Sequence, residues 1–346
     1  MKKVRITAMR RSVYPDLIEK YENPIEHACD TEIGSEFVSI DGKKPDGLCS
    51  AAWESMEKFV EVLARGGGNF YDGWMKNEHS AMISCNDGFR PVSFYIETVE
   101  EREESMEFIW EKSARGEEIK ILFVGDSLTY YNDMPMIFDA MAKSEQKNVY
   151  VDSITKGGYA ILKMQEDSEF WSAVEQKIHS QKWDIIVYQP GRNFTVMPEF
   201  FPDAPQDEFK AAQRMVDIIR NVGALPIQYS TFGVNKGSVT RLEHTKVMTR
   251  REHTDLVTEY NAGVAEKLGV TAVYCGYALN LAAEKYPEIN LYHADEVHPS
   301  YAGSFVVAAC FYTVIFGEAP VKYDFSGELD TATAEKLKKI PEILIR

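Results

Sequence analysis

A chain of 346 residues is long enough for about two domains, and 45% hydrophobic with 12% aromatic residues suits a packed core and excludes wholesale disorder. Its 38 basic and 54 acidic side chains give a net charge of −16, which disfavours nucleic acid or an anionic membrane as partner. No run reaches the roughly 18 apolar residues of a membrane span, and the basic start MKKVRITAMRR lacks the apolar stretch of a signal peptide, so a soluble, cytoplasmic protein is expected.

Residues 1–99 are expected to form a small α+β domain. Val4, Ile6 and Ala8 alternate with polar neighbours, as on a half-buried strand. Residues 37–40 before Asp41-Gly42 form a second strand. Residues 51–64 carry Ala52, Met56, Phe59, Val60 and Leu63 at helical spacing, and Gly66-Gly67-Gly68 stops that helix. Two more strands flank Asn86-Asp87-Gly88. The glycine run lacks both a preceding strand and a following GK[ST], so it is a helix stop and no phosphate loop. Five scattered cysteines without a CxxC pair read as reduced thiols, with no metal expected.

Residues 100–118 form an acidic helical connector within a stretch holding nine glutamates, interrupted by Phe108, Ile109 and Trp110. From residue 119 strands and helices alternate, which predicts a parallel sheet with helices on both faces, a three-layer α/β/α flavodoxin-like domain. Its strands are expected at 119–124, 149–154, 184–188, 225–229 and 271–275. Its helices are expected at 136–145, 168–180, 207–221, 251–268 and 302–316. The irregular stretch 231–250 is long for a connection of this kind and is expected to act as a lid or substrate wall.

The pivotal stretch is IKILFVGDSLTYYNDMP, residues 119–135. An apolar strand breaks at Gly125-Asp126-Ser127, and Pro135 suits the first turn of the following helix. Ser127 therefore falls past the carboxyl end of a strand, where open α/β sheets keep ligands. Alone it reads equally as a helix cap. Three further segments fall on the same sheet edge: Lys156-Gly157-Gly158, Gly191-Arg192-Asn193 and Asp295-Glu296-Val297-His298-Pro299. Together they supply a hydroxyl, a glycine turn, an amide and an Asp/His pair, the parts acyl transfer needs.

This set resembles the SGNH (GDSL) hydrolase superfamily over about residues 119–318, with its GDS serine, glycine, GxN and DxxH blocks in order. The resemblance implies a serine esterase acting through an acyl-enzyme without metal or cofactor. It implies catalytic Ser127, His298 and Asp295, and an oxyanion hole from Ser127, Gly158 and Asn193. The asparagine usual in the glycine block is absent, leaving Gly157 as an alternative donor. Gln189 stands near enough to Asn193 to replace it. The expected partner is a small O-acyl ester, with acetylated carbohydrate the preferred class, and an oligomer is left open. Tyr130, Tyr131, Tyr159, Trp171 and Phe194 read as a stacking wall or as core.

Residues 34–37, 45–49, 52–53 and 87–92 of the first domain resemble a family of small bacterial proteins of about a hundred residues, which implies no chemistry. Two other functions fit parts of the sequence. A flavodoxin-like domain would bind flavin or phosphate through Ser127-Leu128-Thr129 and be coloured on purification, but it leaves Asp295 and His298 without a role. A non-catalytic binding module would rely on the first domain.

Overall fold

The computed structural model describes residues 1–25, 29–99, 105–241 and 244–345. The chain divides into two compact units, Met1–Arg102 and Glu103–Arg346.

In the first unit the antiparallel strands β1 (Lys3–Arg11), β2 (Glu36–Ser39), β3 (Ser80–Ser84) and β4 (Val92–Val99) lie in the order β2-β1-β4-β3. Helix α1 (Pro15–Tyr21) buries no residue, so its sequence carries no apolar stripe to announce it. Helix α2 (Ser50–Ala64) presents Ala52, Met56, Val60 and Leu63 to one sheet face, against Val4, Ile6, Phe94 and Ile96. That face is the alternating set the strand pattern foretells.

Helix α3 (Met106–Ala114), within the stretch expected as a connector, packs on the second unit. Ile109 is fully buried, the Trp110 indole donates to the Ile315 carbonyl at 3.0 Å, and Lys112 pairs with Asp184 at 2.7 Å. The apolar interruption in the glutamate-rich stretch accounts for this docking: Ile109 is covered fully and Phe108 in part, while Trp110 stays partly exposed and is held by its indole bond.

The parallel sheet comprises β5 (Ile119–Gly125), β6 (Val149–Thr155), β7 (Ile185–Tyr188), β8 (Leu225–Ser230) and β11 (Thr271–Tyr274). The spatial order is β6-β5-β7-β8-β11, which is the flavodoxin-like arrangement, with its topological switch between β5 and β7. On β5, Ile121 and Phe123 face one core while Leu122 and Val124 face the other, so both sheet faces are covered.

The first core lies under α3, α5 (Met134–Ser144), α10 (Cys275–Lys285), α11 (Tyr301–Phe316) and α12 (Thr331–Lys338). The second lies under α6 (Ile161–Glu166), α7 (Ser168–His179), α8 (Ala204–Asn221) and α9 (Arg250–Leu268). Helix α11 is apolar on every side, as a helix packed all round must be. Pro135 sits in the first turn of α5. The strand expected at 271–275 stops at Tyr274, because Cys275 opens the buried helix α10. An apolar run this short has no periodicity that separates strand from helix.

The 231–250 stretch holds a hairpin, β9 (Ser238–Arg241) and β10 (His244–Val247). It is pinned by a small apolar cluster of Val196, Met197, Val234, Val239 and Met248, against which Phe201 and Val297 pack. Among the described residues, no helix is long and apolar enough to cross a membrane.

Candidate active site

Four chain segments meet at the carboxyl edge of the sheet, beside the switch point. The first follows β5. Asp126 caps the short helix α4 (Ser127–Tyr130) by accepting the Leu128 N–H at 2.9 Å, so the capping duty belongs to Asp126 and leaves the Ser127 hydroxyl unused by the helix. Gln189, following β7, grips this turn. Its carbonyl accepts from Thr129 Oγ1 at 2.7 Å and from the Asp126 N–H at 3.1 Å, and its amide donates to Asp126 Oδ1 at 2.7 Å. Buried to 3% exposure, Gln189 thus fixes the Ser127 turn from the neighbouring strand.

The second segment follows β6, where the Lys156 N–H bonds the Gly125 carbonyl at 3.2 Å. Gly158 has φ +74°, in the left-handed region that favours glycine, and lines the cleft. A Cβ on Gly157 would come within 2.9 Å of the Tyr130 hydroxyl instead. In the third segment Asn193 opens a short 3-10 turn, and its side chain lies outside the described residues, as does that of Phe194.

The fourth segment is the 295–298 turn. Asp295 Oδ1 accepts the Val297 and His298 N–H groups at 2.9 and 3.0 Å, while its Oδ2 stands 2.7 Å from His298 Nδ1. His298 Nε2 lies 2.8 Å from Ser127 Oγ. Burial opposes the Asp295 charge, but the His298 side chain and these N–H groups outweigh it and hold the carboxyl well below the usual range. With Nδ1–H donated to Asp295, Nε2 is left to accept the Ser127 proton. Tyr131 stacks on the imidazole with centroids 4.3 Å apart. His293 reaches the same carboxylate only at 3.6 Å.

Two features hold the fourth segment in place, one of them from the first segment. Asn132, at φ 54°, donates to the Pro299 carbonyl at 3.0 Å and to Ser304 Oγ at 2.9 Å. Gly303 lets the start of α11 press on the chain: a Cβ there would lie 2.1 Å from the Leu291 carbonyl oxygen and 3.0 Å from Pro299. Gly303→Ala is therefore expected to cost about 1–3 kcal/mol by overpacking. Because the displaced atoms adjoin His298, activity should fall at temperatures where the variant is still folded. Urea denaturation and kinetics on the same preparation measure the two effects.

The cleft holds about 580 Å³ and is lined by Ser127, Gly158 and His298 together with residues not marked by the motifs. These include Phe201, Glu208, Arg192, Lys163, Val234 and Lys236. The irregular length of 231–250 was the signal for the last two. Arg192 sits inside a motif as its unspecified residue, and Glu208 had no signal. Of the expected aromatic wall, Trp171 is core at 5% exposure and Tyr159 packs on Phe170. Phe201 lines the cleft instead.

Glu208 accepts the Gly191 N–H at 3.2 Å, and burial pushes its carboxyl up to about 7. The native state therefore holds this proton more tightly than the unfolded chain. Stability contributed here falls as pH rises from about 4.5 to about 7, by at most about 1.4 kcal/mol per pH unit, and then levels. Glu208→Gln removes that slope. Thermal melts of both proteins between pH 4 and 8 should diverge in the variant's favour as pH rises.

A scan against protein-family models and a search of curated proteins each find no match. Solved structures do match. A DUF4886 family protein from Bacteroides uniformis is 13% identical, with 66% of this chain aligned to 95% of that one at TM-score 0.55. The likeness is one of fold. A protein assigned to the SGNH hydrolases, from Slackia heliotrinireducens, is 22% identical over 56% of this chain and 97% of its own, at TM-score 0.46. An acetyl xylan esterase is 14% identical over 57% and 99%, at 0.43. The second unit shares with the first of these a three-layer α/β/α sandwich built on a five-stranded parallel sheet.

Proposed function

We propose that the second unit is a serine esterase that hydrolyses a small O-acyl ester through an acyl-enzyme. The observation that carries this reading is the unbroken row Ser127 Oγ, His298 Nε2, His298 Nδ1, Asp295 Oδ2, with steps of 2.8 and 2.7 Å, opening on a cleft. His298 takes the Ser127 proton as Oγ attacks the ester carbonyl, then gives it to the leaving alcohol. Water activated by the same imidazole releases the acid. Asp295 holds the tautomer and stabilises the imidazolium. The oxyanion is received by the N–H groups of Ser127 and Gly158, with the Asn193 amide as the proposed third donor. Gln189 spends its carbonyl on Asp126 and Thr129 and one amide hydrogen on Asp126, which favours Asn193 over it for that duty.

Small acyl groups, and acetylated carbohydrates among them, are the proposed class. Hydrolysis of p-nitrophenyl acetate, butyrate and octanoate tests it, together with intact-mass detection of an acyl adduct and its location by peptide mapping. Turnover favouring acetate with the adduct on Ser127 is expected. An adduct elsewhere, or turnover without one under burst conditions, would remove the mechanism.

A further inference from the structure

The candidate mechanism leaves one strong group in the cleft without a task. Arg192 is 8% exposed and lines the same cleft as Ser127 and His298. Among the described residues its guanidinium makes a single hydrogen bond, from Nη1 to the Phe232 carbonyl, and it lies over the Phe232 ring with 5.6 Å between Cζ and the centroid. Nε and Nη2 have no acceptor among the described residues.

Among the described residues no carboxylate lies within ion-pair distance of Arg192. Asp126 acts on it only from farther off, with its Oδ1 held by Leu128 and Gln189. Glu208, the other acid lining the cleft, accepts the Gly191 N–H, and its burial favours the neutral carboxyl over the carboxylate. Two exposed cations, Lys163 and Lys236, line the cleft as well. A protein of net charge −16 has thus gathered three cations around one opening. A buried guanidinium lacking a counter-ion is costly unless a ligand supplies one.

We propose that the substrate of this cleft carries a carboxylate besides its ester, and that Arg192 binds it through Nε–H and Nη2–H. Those two donors form the side-on fork that matches the two oxygens of a carboxylate. Lys163 and Lys236 draw the anion in from solvent. The position of the scissile bond rests on the esterase reading above, whereas the anion site stands on Arg192 itself. In chemical terms the substrate is an O-acylated hydroxy acid or acidic sugar, and the product is the free hydroxy acid.

The test uses matched pairs, para- and meta-acetoxybenzoate against the corresponding acetoxybenzamides, with the full chain. The wild type should prefer the benzoate, and Arg192→Gln should lower the benzoate-to-benzamide ratio of kcat/KM by about 10- to 100-fold. Arg192→Lys, which keeps the charge but loses the fork, should recover part of that ratio. Calorimetric binding of the same four compounds to Ser127→Ala, with and without Arg192→Gln, reads the anion site without chemistry.

If no ester is turned over while Ser127→Ala binds a benzoate in an Arg192-dependent way, the esterase reading fails and the anion site stands. If esters are turned over but benzoate and benzamide are bound and hydrolysed alike, the anion site is overturned and the esterase stands. Equal losses on both members of each pair in Arg192→Gln, accompanied by a lowered melting temperature, would make Arg192 only a clamp on Phe232. Absence of any benzoate binding overturns the proposal as well.

Discussion

Ser127→Ala is expected to lower kcat on p-nitrophenyl acetate by about 10⁴- to 10⁶-fold while leaving the melting temperature within a degree or so of wild type. The kinetic half of this result follows from the row of hydrogen bonds: without Oγ no acyl-enzyme forms, and only the polar cleft remains to polarise the ester. The structural half follows from the division of labour at the turn. Asp126 caps α4, Gln189 braces Asp126 and Thr129, and the Ser127 hydroxyl bonds His298 alone. Removing a half-buried hydroxyl that supports no backbone group should change stability by no more than about 0.5 kcal/mol. Stopped-flow kinetics and calorimetry on the same sample decide the matter. Full activity in the variant would end the mechanism, and a collapse of stability would mean that Ser127 is a structural residue.

Asp295→Asn should cost about 10⁴-fold in kcat with little change in KM. An asparagine keeps Oδ1 as acceptor for the Val297 and His298 N–H groups, so the turn survives. Its amide nitrogen, however, presents a donor to His298 Nδ1, which drives the ring to the tautomer with its proton on Nε2. Ser127 then faces a donor where it needs an acceptor. The carboxyl of Asp295 is held well below its usual range, so in wild type it stays ionised through mild acid. Stability that it contributes is present above the unfolded-chain value near 3.8 and is lost as pH falls below that. A loss in Asp295→Asn that appeared only in KM would contradict the orienting role.

Much of this architecture is written locally. The three central strands β5, β7 and β8 announce themselves as short apolar runs because each is buried on both faces, and α11 does so because it is apolar all round. The Asp295–His298 pair is legible because three residues of chain suffice to place both on one turn. The GDS segment is legible because a strand, a break and a proline-started helix occupy consecutive residues.

Other features depend on partners far along the chain, and no local pattern encodes them. That Gln189 braces the Asp126 turn is decided by contacts spanning 63 residues. Helix α3 belongs to the second unit because Trp110 finds the Ile315 carbonyl 205 residues away. The hairpin in 231–250 becomes a cleft wall only through the cluster it shares with Val196 and Met197. Arg192 is one more arginine in sequence and becomes a buried, half-bonded guanidinium only when β7 and the segment after β8 converge. The sequence by itself marked the parallel strands and the turns that carry Ser127, Asp295 and His298, since strand burial and turn spacing act within a few residues. The tertiary structure alone decided which polar groups are consumed by the scaffold and which are left for a ligand, because burial and hydrogen-bond satisfaction belong to the whole packed unit.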